Sequence, residues 1–472
     1  MPDGAARPAV FTIPTHRSFA DALAEGLIRR FGKEPLGLAQ GRILLPNNRA
    51  VRSVTEAFVR ASGSGLLLPR LIPIGDPEID ERIGGALDPI DDGRPAPPAI
   101  DPLERLLTLT SILRGSGESA AEALRLASDL ALTLDALLIE QIDPGQLREA
   151  VGEAGDIARH WEHSLARLQV IYAAWPEILR QRGAIDLADR RNLLLRRLAE
   201  RWAEAPPDGF TLAAGITTSA PAVAAVLSRV ARMDSGMVVL PGLSLPTIMP
   251  DEEWDALGPG EDGSEPGHPQ YHLKLLLDRM GVARGEVRLW RYGGRAASSP
   301  ARARAVANAM AAPDYSHKWQ HLKAAERRLS GVRVAELHDA AAEAQAIALV
   351  LREALETPGK TAALVTPDRQ LANRVSALLK RWGIDADDSA GTPLSQTPAG
   401  TLLLGIASAA AEELAPVALL ALLKHPLVGG EGEDRLAWLE AVRVLDEKLR
   451  GPRPPAGIDG LDAWFAGKHC ER

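Results

Sequence analysis

The chain repeats one pattern four times: an apolar run typical of a β-strand, a short loop rich in Pro, Thr and Ser, and a helical run. The four copies begin at Val10, Ile43, Thr211 and Ala362. Strand-loop-helix units in series predict parallel strands, and parallel sheets bind their ligands at the carboxyl ends of the strands. The pattern therefore predicts an α/β protein whose loops after the strands carry its function.

The loop after the first apolar run, residues 14–19, has the sequence PTHRSF and contains no glycine. Nucleotide-binding loops in this position fold around phosphate through successive backbone amides, and glycine permits that close approach. His16 and Arg17 could hold an anion, but a simpler role beside a helix N-terminus is favoured. The sequence thus indicates a nucleotide-binding architecture without its phosphate-binding loop.

Two other motifs also fail as nucleotide sites. The tripeptide GKT at residues 359–361 matches the end of a phosphate-binding loop, but Ala354 stands where that loop has its first glycine. The tripeptide also precedes a strand-like run instead of following one. The apolar run MVVLPGL ends in Pro241 and Gly242, where a metal-holding strand would end in carboxylates. ATP hydrolysis is not expected, and no cofactor is predicted for this chain.

The composition is that of a soluble multidomain protein, since 472 residues with 46% hydrophobic and 25% charged residues are ordinary for globular chains. Neither a long apolar span nor a signal-peptide pattern is present, which predicts a cytoplasmic protein without membrane contact. The single cysteine, Cys470, excludes an internal disulfide and a cysteine-based metal site. The net charge of -8 argues against unselective polyanion binding but allows a local basic groove.

Changes in pattern along the chain predict five segments. Two α/β portions flank a helical stretch, which is the order expected for an insertion into one sheet. A second α/β unit and a helical end follow, with strands predicted at residues 332–337 and 362–367. The acidic run Asp251–Asp255 is predicted to lie in a solvated loop. The segments are residues 1–90, the first part of an α/β domain; 100–205, a helical insertion; 206–325, the second part of that domain; 326–405, the start of a second α/β domain; and 406–472, a helical segment that ends without a finished domain.

Two histidine pairs have helical spacing, His160 with His163 and His268 with His272. Such pairs can ligate zinc when a third ligand converges on them. No third ligand is evident nearby in the sequence, so histidines on helix surfaces are favoured over a metal site.

Several tryptophans occupy apolar positions of the helical runs, where they are predicted to lie in the core, although stacking on nucleic-acid bases is open for one or two of them. They are Trp161, Trp175, Trp202 and Trp382. The polar loop around Asp387 and Asp388 is either a ligand contact or a plain loop, and a plain loop is favoured.

Taken together, the segments of this chain resemble the N-terminal half of the AddB family, in the alphaproteobacterial type of this double-strand-break repair subunit. The resemblance covers nearly the whole chain and is specific as a combination of segments. The segments are VFTIPTHRSFADALAEGL, ILLPNNRAV, LLLPRLIPIGD, LAAGITTSAPAVAAVLSRVARMDSGMVVLPGL, HPQYHLKLLLDRMGVARGEVRLW and AALVTPDRQLANRVSALLKRWGIDADDSAGTPLSQTPAG.

The resemblance implies a degenerate superfamily 1 helicase-like fold, related to P-loop nucleotide hydrolases, with parallel sheets and an inserted helical subdomain. It also implies binding to DNA ends and to the AddA helicase-nuclease subunit, and scanning of the strand for a recombination hotspot. Some AddB proteins keep a phosphate loop after the first strand. In this chain that place is taken by Pro14, Thr15, His16, Arg17 and Ser18.

One departure from the family is large. AddB proteins are much longer, and their second half carries a RecB-like nuclease with acidic metal ligands and a four-cysteine iron–sulfur site. This sequence contains neither feature. The chain is therefore expected to be a fragment or a truncated product without nuclease activity.

The sequence favours a non-catalytic, DNA-binding part of a DNA-end-processing complex. Two alternatives remain open. One is an α/β transferase that uses the loops at residues 217–221 and 366–369 for a phosphorylated or sugar-nucleotide substrate. The other is a scaffold without DNA contact. The candidate DNA contacts are Arg49, Thr217, Thr218, Ser219, Thr366, Asp368 and Arg369.

Overall fold

The computed structural model describes residues 7–34, 36–63, 65–75, 96–115, 117–143, 174–259, 264–293 and 298–467. The chain divides into two compact units, Met1–Val332 and Arg333–Arg472. The predicted pair His160 and His163, together with Trp161, lies outside the described residues.

The first unit is built on a six-stranded sheet in which every strand pairing is parallel, which confirms the predicted α/β class. The strands are β1 Val10–Ile13, β2 Arg42–Leu45, β3 Arg70–Pro73, β4 Thr211–Ala214, β5 Gly236–Pro241 and β6 Arg288–Leu289. Their order in the sheet is β3-β2-β4-β5-β1-β6. The central strands are rich in Val, Ile, Leu and Ala because both of their faces are buried.

The α-helices in the described part of this unit are numbered α1 to α9. They are α1 Phe19–Phe31, α2 Asn48–Ser62, α3 Pro102–Gly115, α4 Ala120–Glu140, α5 Leu187–Glu204, α6 Pro221–Ala231, α7 Asp251–Asp255, α8 Tyr271–Met280 and α9 Pro300–Ala309. Residues 174–182 are also helical. One 3₁₀ helix, Arg284–Glu286, lies between α8 and β6, and two more, Pro313–His321 and Ala324–Arg327, follow α9.

Two hydrophobic cores cover opposite faces of the sheet. The first contains Leu23 and Leu27 of α1 and Phe58 of α2. The second contains residues of α5, α6 and α8, including Trp202 and Leu276. Helices on both faces are what right-handed crossovers produce when successive connections run in opposite directions along a parallel sheet.

The predicted helical insertion is helical in its described residues and has a small core of its own. This core contains Leu109, Leu134 and Trp175. A buried polar cluster stabilises this core. Arg105 pairs with Asp186 at 2.8 Å, and the Trp175 indole N–H donates to the same carboxylate at 2.7 Å. Burial raises the pKa of Asp186, against the lowering effect of Arg105 and Trp175. The predictions that Trp175 and Trp202 lie in the core are confirmed.

The acidic run Asp251–Asp255 is not a solvated loop but forms the short helix α7, so that prediction is wrong. Glu253 is 0% exposed and its carboxylate pairs with Lys318 at 2.5 Å. Asp251 pairs with the buried Arg284, whose guanidinium lies over the Trp254 ring at 4.9 Å. The Lys318 ammonium, which comes from later in the chain, allows the Glu253 carboxylate to leave water, whereas the Asp251 side chain stays 74% exposed.

The described residues of the second unit form helices and segments without regular secondary structure. The helices are α10 Ala340–Leu355, α11 Arg369–Lys380, α12 Pro398–Ala411, α13 Pro416–Leu423, α14 Gly432–Lys448 and α15 Gly457–Ala466. Helices α10 and α11 pack around Ala344, Ala348, Val375 and Leu379. Trp382 packs against this cluster and lies under the Arg352 guanidinium at 5.1 Å.

The strands predicted at residues 332–337 and 362–367 are wrong, because neither segment forms a strand in the described chain. Val334 and Val365 are 87% and 93% exposed. The apolar residues supply the sequence preference for a strand, but a strand also needs a neighbour for its backbone hydrogen bonds. Among the described residues, no helix is long and apolar enough to cross a membrane.

Candidate functional site at the carboxyl edge of the sheet

A crevice forms where the chain leaves neighbouring strands in opposite directions. Strand β1 is followed by α1, which packs on one face of the sheet, and β5 leads to α8, which packs on the other. Strands β1 and β5 are adjacent, with Thr12 opposite Leu240. Ligands of open parallel sheets bind at such points, outside the carboxyl ends of the strands.

A cavity of about 450 Å³ occupies this crevice. Residues from the loops after β1, β4 and β5 meet there with residues at the start of α8. They include Pro14, Thr15, Arg17, Thr217, Gly242, Gln270 and His272. The structure therefore brings the predicted loop after β1 together with Thr217, one of the candidate DNA contacts.

The loop after β1 is short and tightly turned. Only residues 14–18 join Ile13 of β1 to Phe19 of α1, and the Arg17 backbone N–H donates to the Pro14 carbonyl at 3.0 Å. Thr15 packs directly on Gly242, where an added Cβ would lie 2.6 Å from the Thr15 methyl. Gly242 also has φ +61°, which disfavours other residues at this point of contact.

His16 and Arg17 are both half-buried and tied to the surrounding chain. Arg17 donates through Nη1 to the Trp290 carbonyl at 3.5 Å, and the His16 carbonyl accepts from the Ser298 N–H at 3.2 Å. Burial, assisted by the charge of Arg17, lowers the pKa of His16. At neutral pH the cation of this loop is therefore Arg17.

A carboxylate lies near the start of α1, where a nucleotide phosphate would have to bind. Ser18 donates its hydroxyl to Asp21 at 2.7 Å, and Arg60 donates to the same carboxylate at 2.7 Å. A fixed negative charge in the first turn already interacts with the positive end of the helix dipole. This geometry disfavours phosphate binding at α1, in addition to the absence of glycine.

The Asp21 pair predicts a pH-dependent contribution to stability. Partial burial raises the pKa of Asp21, but hydrogen bonds from Ser18 and Arg60 and the Arg60 charge outweigh this, so the pKa is lowered. The folded state is therefore favoured above the ordinary aspartate pKa, and the gain is lost as pH falls through the lowered value. Urea denaturation should show Asp21→Asn to be less stable by up to about 1 kcal/mol at pH 7. The difference should shrink as the pH falls through the lowered pKa of Asp21, and one that stays constant with pH would contradict an ionic origin.

Gln270 fixes the loop after β5. Its amide donates to the Gly242 carbonyl at 3.1 Å and accepts from the Ser244 N–H at 2.9 Å. His268 in turn accepts from the Gln270 N–H through Nδ1 at 3.1 Å. No local pattern predicts this role for Gln270, because its two partners lie in a loop more than twenty residues earlier.

The second histidine pair does not share a helix, since His268 precedes α8 and only His272 lies in it. His268 is buried, so the favoured view of two helix-surface histidines is wrong for this residue. Burial lowers its pKa, against the opposing charge of Glu253. No group of three His, Cys, Asp or Glu side chains that could hold a metal occurs within the described ranges.

The candidate DNA contacts of the first unit differ in accessibility. Arg49, in the first turn of α2, is exposed, as are Thr217 and Thr218. Ser219 is only 3% exposed and its carbonyl accepts from Arg279, so its side chain is withdrawn from the surface. Sequence reasoning missed Arg52, which is also exposed on α2. The i, i+3 spacing of the two arginines was the available signal.

The remaining candidates belong to the second unit and organise the start of α11. Asp368 accepts from the Gln370 N–H at 2.7 Å, and Thr366 accepts from the Asp368 N–H at 3.0 Å. Arg369 binds Asp388 through both guanidinium nitrogens at 3.0 and 2.7 Å. These side chains therefore form hydrogen bonds within the protein. Thr366, Arg369, Asp387 and Asp388 line a separate cavity of about 510 Å³, together with Lys360 and Thr361 of the GKT tripeptide.

Comparison with protein families and with curated proteins finds no match to this chain.

Proposed function

We propose that this chain is the non-catalytic, helicase-like part of an AddB-type subunit, which binds DNA ends and an AddA helicase-nuclease in cytoplasmic double-strand-break repair. The segments quoted above support the family, and the α/β sheet with helices on both faces is compatible with it. The observation that carries the DNA-binding proposal is the basic character of the carboxyl edge of the sheet.

This edge combines exposed arginines with helix N-termini. Arg49 and Arg52 lie at the start of α2, and Arg291 follows β6, all with exposed side chains. Arg49 and Arg52 have no ion-pair partner among the described residues. Helices α2, α6 and α8 carry no acidic residue in their first turns, so their positive dipole ends are uncompensated. A phosphate backbone is the ligand that such a surface attracts.

The loop after β1 supports a binding role instead of ATP hydrolysis. It is five residues long, lacks glycine and is followed by the Asp21 carboxylate. A phosphate-binding loop needs backbone amides that converge on the phosphate and a following helix start free of negative charge. The proposed role therefore uses the architecture of a nucleotide-binding domain to present loops to DNA and to the partner subunit.

The double variant Arg49→Ala/Arg52→Ala tests DNA binding. We expect its affinity for DNA ends to fall about tenfold, because two phosphate contacts are lost, and the slope of log affinity against log salt to decrease by about 2. Fluorescence anisotropy over a salt series measures both quantities. The matched control is Arg70→Ala/Arg114→Ala, which removes the same charge from exposed arginines at the start of β3 and the end of α3.

Three outcomes would contradict the proposal. If the control weakens binding as much as the test variant, the carboxyl edge is not the DNA surface. If the wild-type chain does not bind DNA ends at low salt, the scaffold alternative is favoured. Tight ATP binding by calorimetry would refute the degenerate-loop interpretation. Co-elution with purified AddA tests the partner separately.

A further inference from the structure

The cavity at the carboxyl edge combines apolar walls with side chains that can form hydrogen bonds. Its walls include the rings of Pro14, Pro241 and Pro269, with Phe19 beside them. No carboxylate lines it, and its one guanidinium is that of Arg17. Apolar walls with a few polar groups are typical of sites that bind small ligands or parts of larger ones.

Three polar side chains of this cavity are available to form hydrogen bonds with a ligand. The hydroxyls of Thr15 and Thr217 and the ring nitrogens of His272 have no hydrogen-bond partner in the described part of the chain, whereas the Gln270 amide is used on both sides. Hydroxyl and imidazole groups can each donate and accept. They match the mixed donors and acceptors on the edge of a nucleic-acid base.

We infer that this cavity receives one unpaired base of a DNA strand whose backbone crosses the basic edge, an inference that rests on the proposed function. The cavity volume of about 450 Å³ admits a base but not a duplex, so the base must be unpaired to enter. The arginines Arg49 and Arg52 lie on the same edge, outside the cavity, where the flanking phosphates would run.

A free nucleotide has the same base but needs a separate site for its terminal phosphate. Residues 14–18 contain no glycine, and Asp21 places a carboxylate at the start of α1. The phosphates of a bound strand would lie by Arg49 and Arg52 at the start of α2, and they need no site at the start of α1. The chemistry of the cavity therefore favours a base that is part of a strand.

The test combines a change in the ligand with a change in the protein. Wild-type protein is titrated with a single-stranded thymidine oligonucleotide and with an abasic oligonucleotide of the same length. We expect about tenfold tighter binding of the thymidine strand, which is the scale of one stacked base. Thr217→Trp should fill the cavity and bind both strands with the affinity of the abasic one. Ser235→Trp, an exposed neutral residue at the opposite edge of the sheet, should keep the tenfold preference.

Each outcome decides a separate question. Equal wild-type affinity for the two strands, or a Thr217→Trp variant that keeps the preference, overturns the base site while DNA binding stands. Binding of neither strand refutes the proposed function itself. Displacement of the thymidine strand by free dTMP at a similar concentration assigns the cavity to free nucleotides and overturns the inference. If Thr217→Trp does not melt like wild type, His272→Leu replaces it, with a smaller loss of preference expected.

Discussion

Replacing Trp290 by alanine is expected to lower the free energy of unfolding of the first unit by about 4 kcal/mol, a typical cost for removing a large aromatic side chain from a core. Trp290 is 2% exposed and directly follows β6. Its indole N–H donates to the Ala22 carbonyl at 2.9 Å, and its ring meets Phe11 edge-on at 5.5 Å. The side chain thus joins the edge strand to α1 and to β1.

Gly26 shows how closely the indole packs on α1. A Cβ at this position would lie 2.5 Å from the Trp290 ring, so the ring fills space that the missing side chain leaves open. Truncation of Trp290 would leave a cavity that the backbone of α1 cannot close without moving. Truncation should also leave the backbone carbonyl at position 290, which accepts a hydrogen bond from Arg17, less firmly held.

Urea denaturation followed by circular dichroism measures this loss. Trp290→Phe keeps most of the packing but loses the hydrogen bond to Ala22, so it should cost much less than the alanine variant. Trp319→Ala is the matched control, because Trp319 is partly exposed in a 3₁₀ helix of the same unit. Equal losses from Trp290→Ala and Trp319→Ala would show that the indole of Trp290 does not anchor β6.

The sequence predicted β1, β2, β4 and β5, because each lies in a run of apolar residues that ends at Pro, Gly or a polar loop. It missed β6, which consists of Arg288 and Leu289 alone, both with exposed side chains. Two residues carry no periodicity. What holds them against β1 is the burial of Trp290 and its backbone hydrogen bond to Thr12, and both depend on the tertiary fold.

The candidate site could be predicted only in part. Residues 14–18 and Thr217 follow strand-like runs, so their position at the carboxyl edge followed from the pattern. Their meeting in one cavity depends on the strand order, in which β4, β5 and β1 are neighbours. Gln270 and His272 follow no strand directly and reach the cavity through the packing of α8. No local sequence signal encodes that packing.

The same limit explains the error at Asp251–Asp255. Four carboxylates in five residues are typical of a solvated segment, because burying a charge without a partner is costly. The partners of Glu253 and Asp251 are Lys318 and Arg284, which lie 65 and 33 residues away in the sequence. Burial of Glu253 is therefore decided by a contact with Lys318 that a local pattern does not contain.

Removing Lys318 tests this buried pair, and Lys318→Met is expected to lower the free energy of unfolding by about 3–5 kcal/mol. The Lys318 ammonium lies 2.5 Å from the carboxylate of Glu253, which is fully buried. Without the ammonium, the carboxylate stays in a low-dielectric interior with no compensating charge.

The matched control is Lys274→Met. Lys274 forms an ion pair of similar length, 2.8 Å, with Asp278, but that carboxylate is about half exposed and remains hydrated when its partner is removed. The control should therefore cost no more than about 1 kcal/mol. Similar losses in the two variants would mean that Glu253 gains little from Lys318 in the folded protein.

A double-mutant cycle separates the charge from the packing. In Glu253→Gln/Lys318→Met no buried charge is left unpaired, so the double variant should be more stable than Lys318→Met alone by about 2 kcal/mol. Chemical denaturation of the four proteins at one pH gives the coupling energy directly. A double variant whose loss equals the sum of the two single losses would show that the two side chains act independently. The position of α7 would then depend on the packing of Trp254 and on the Arg284 pair alone.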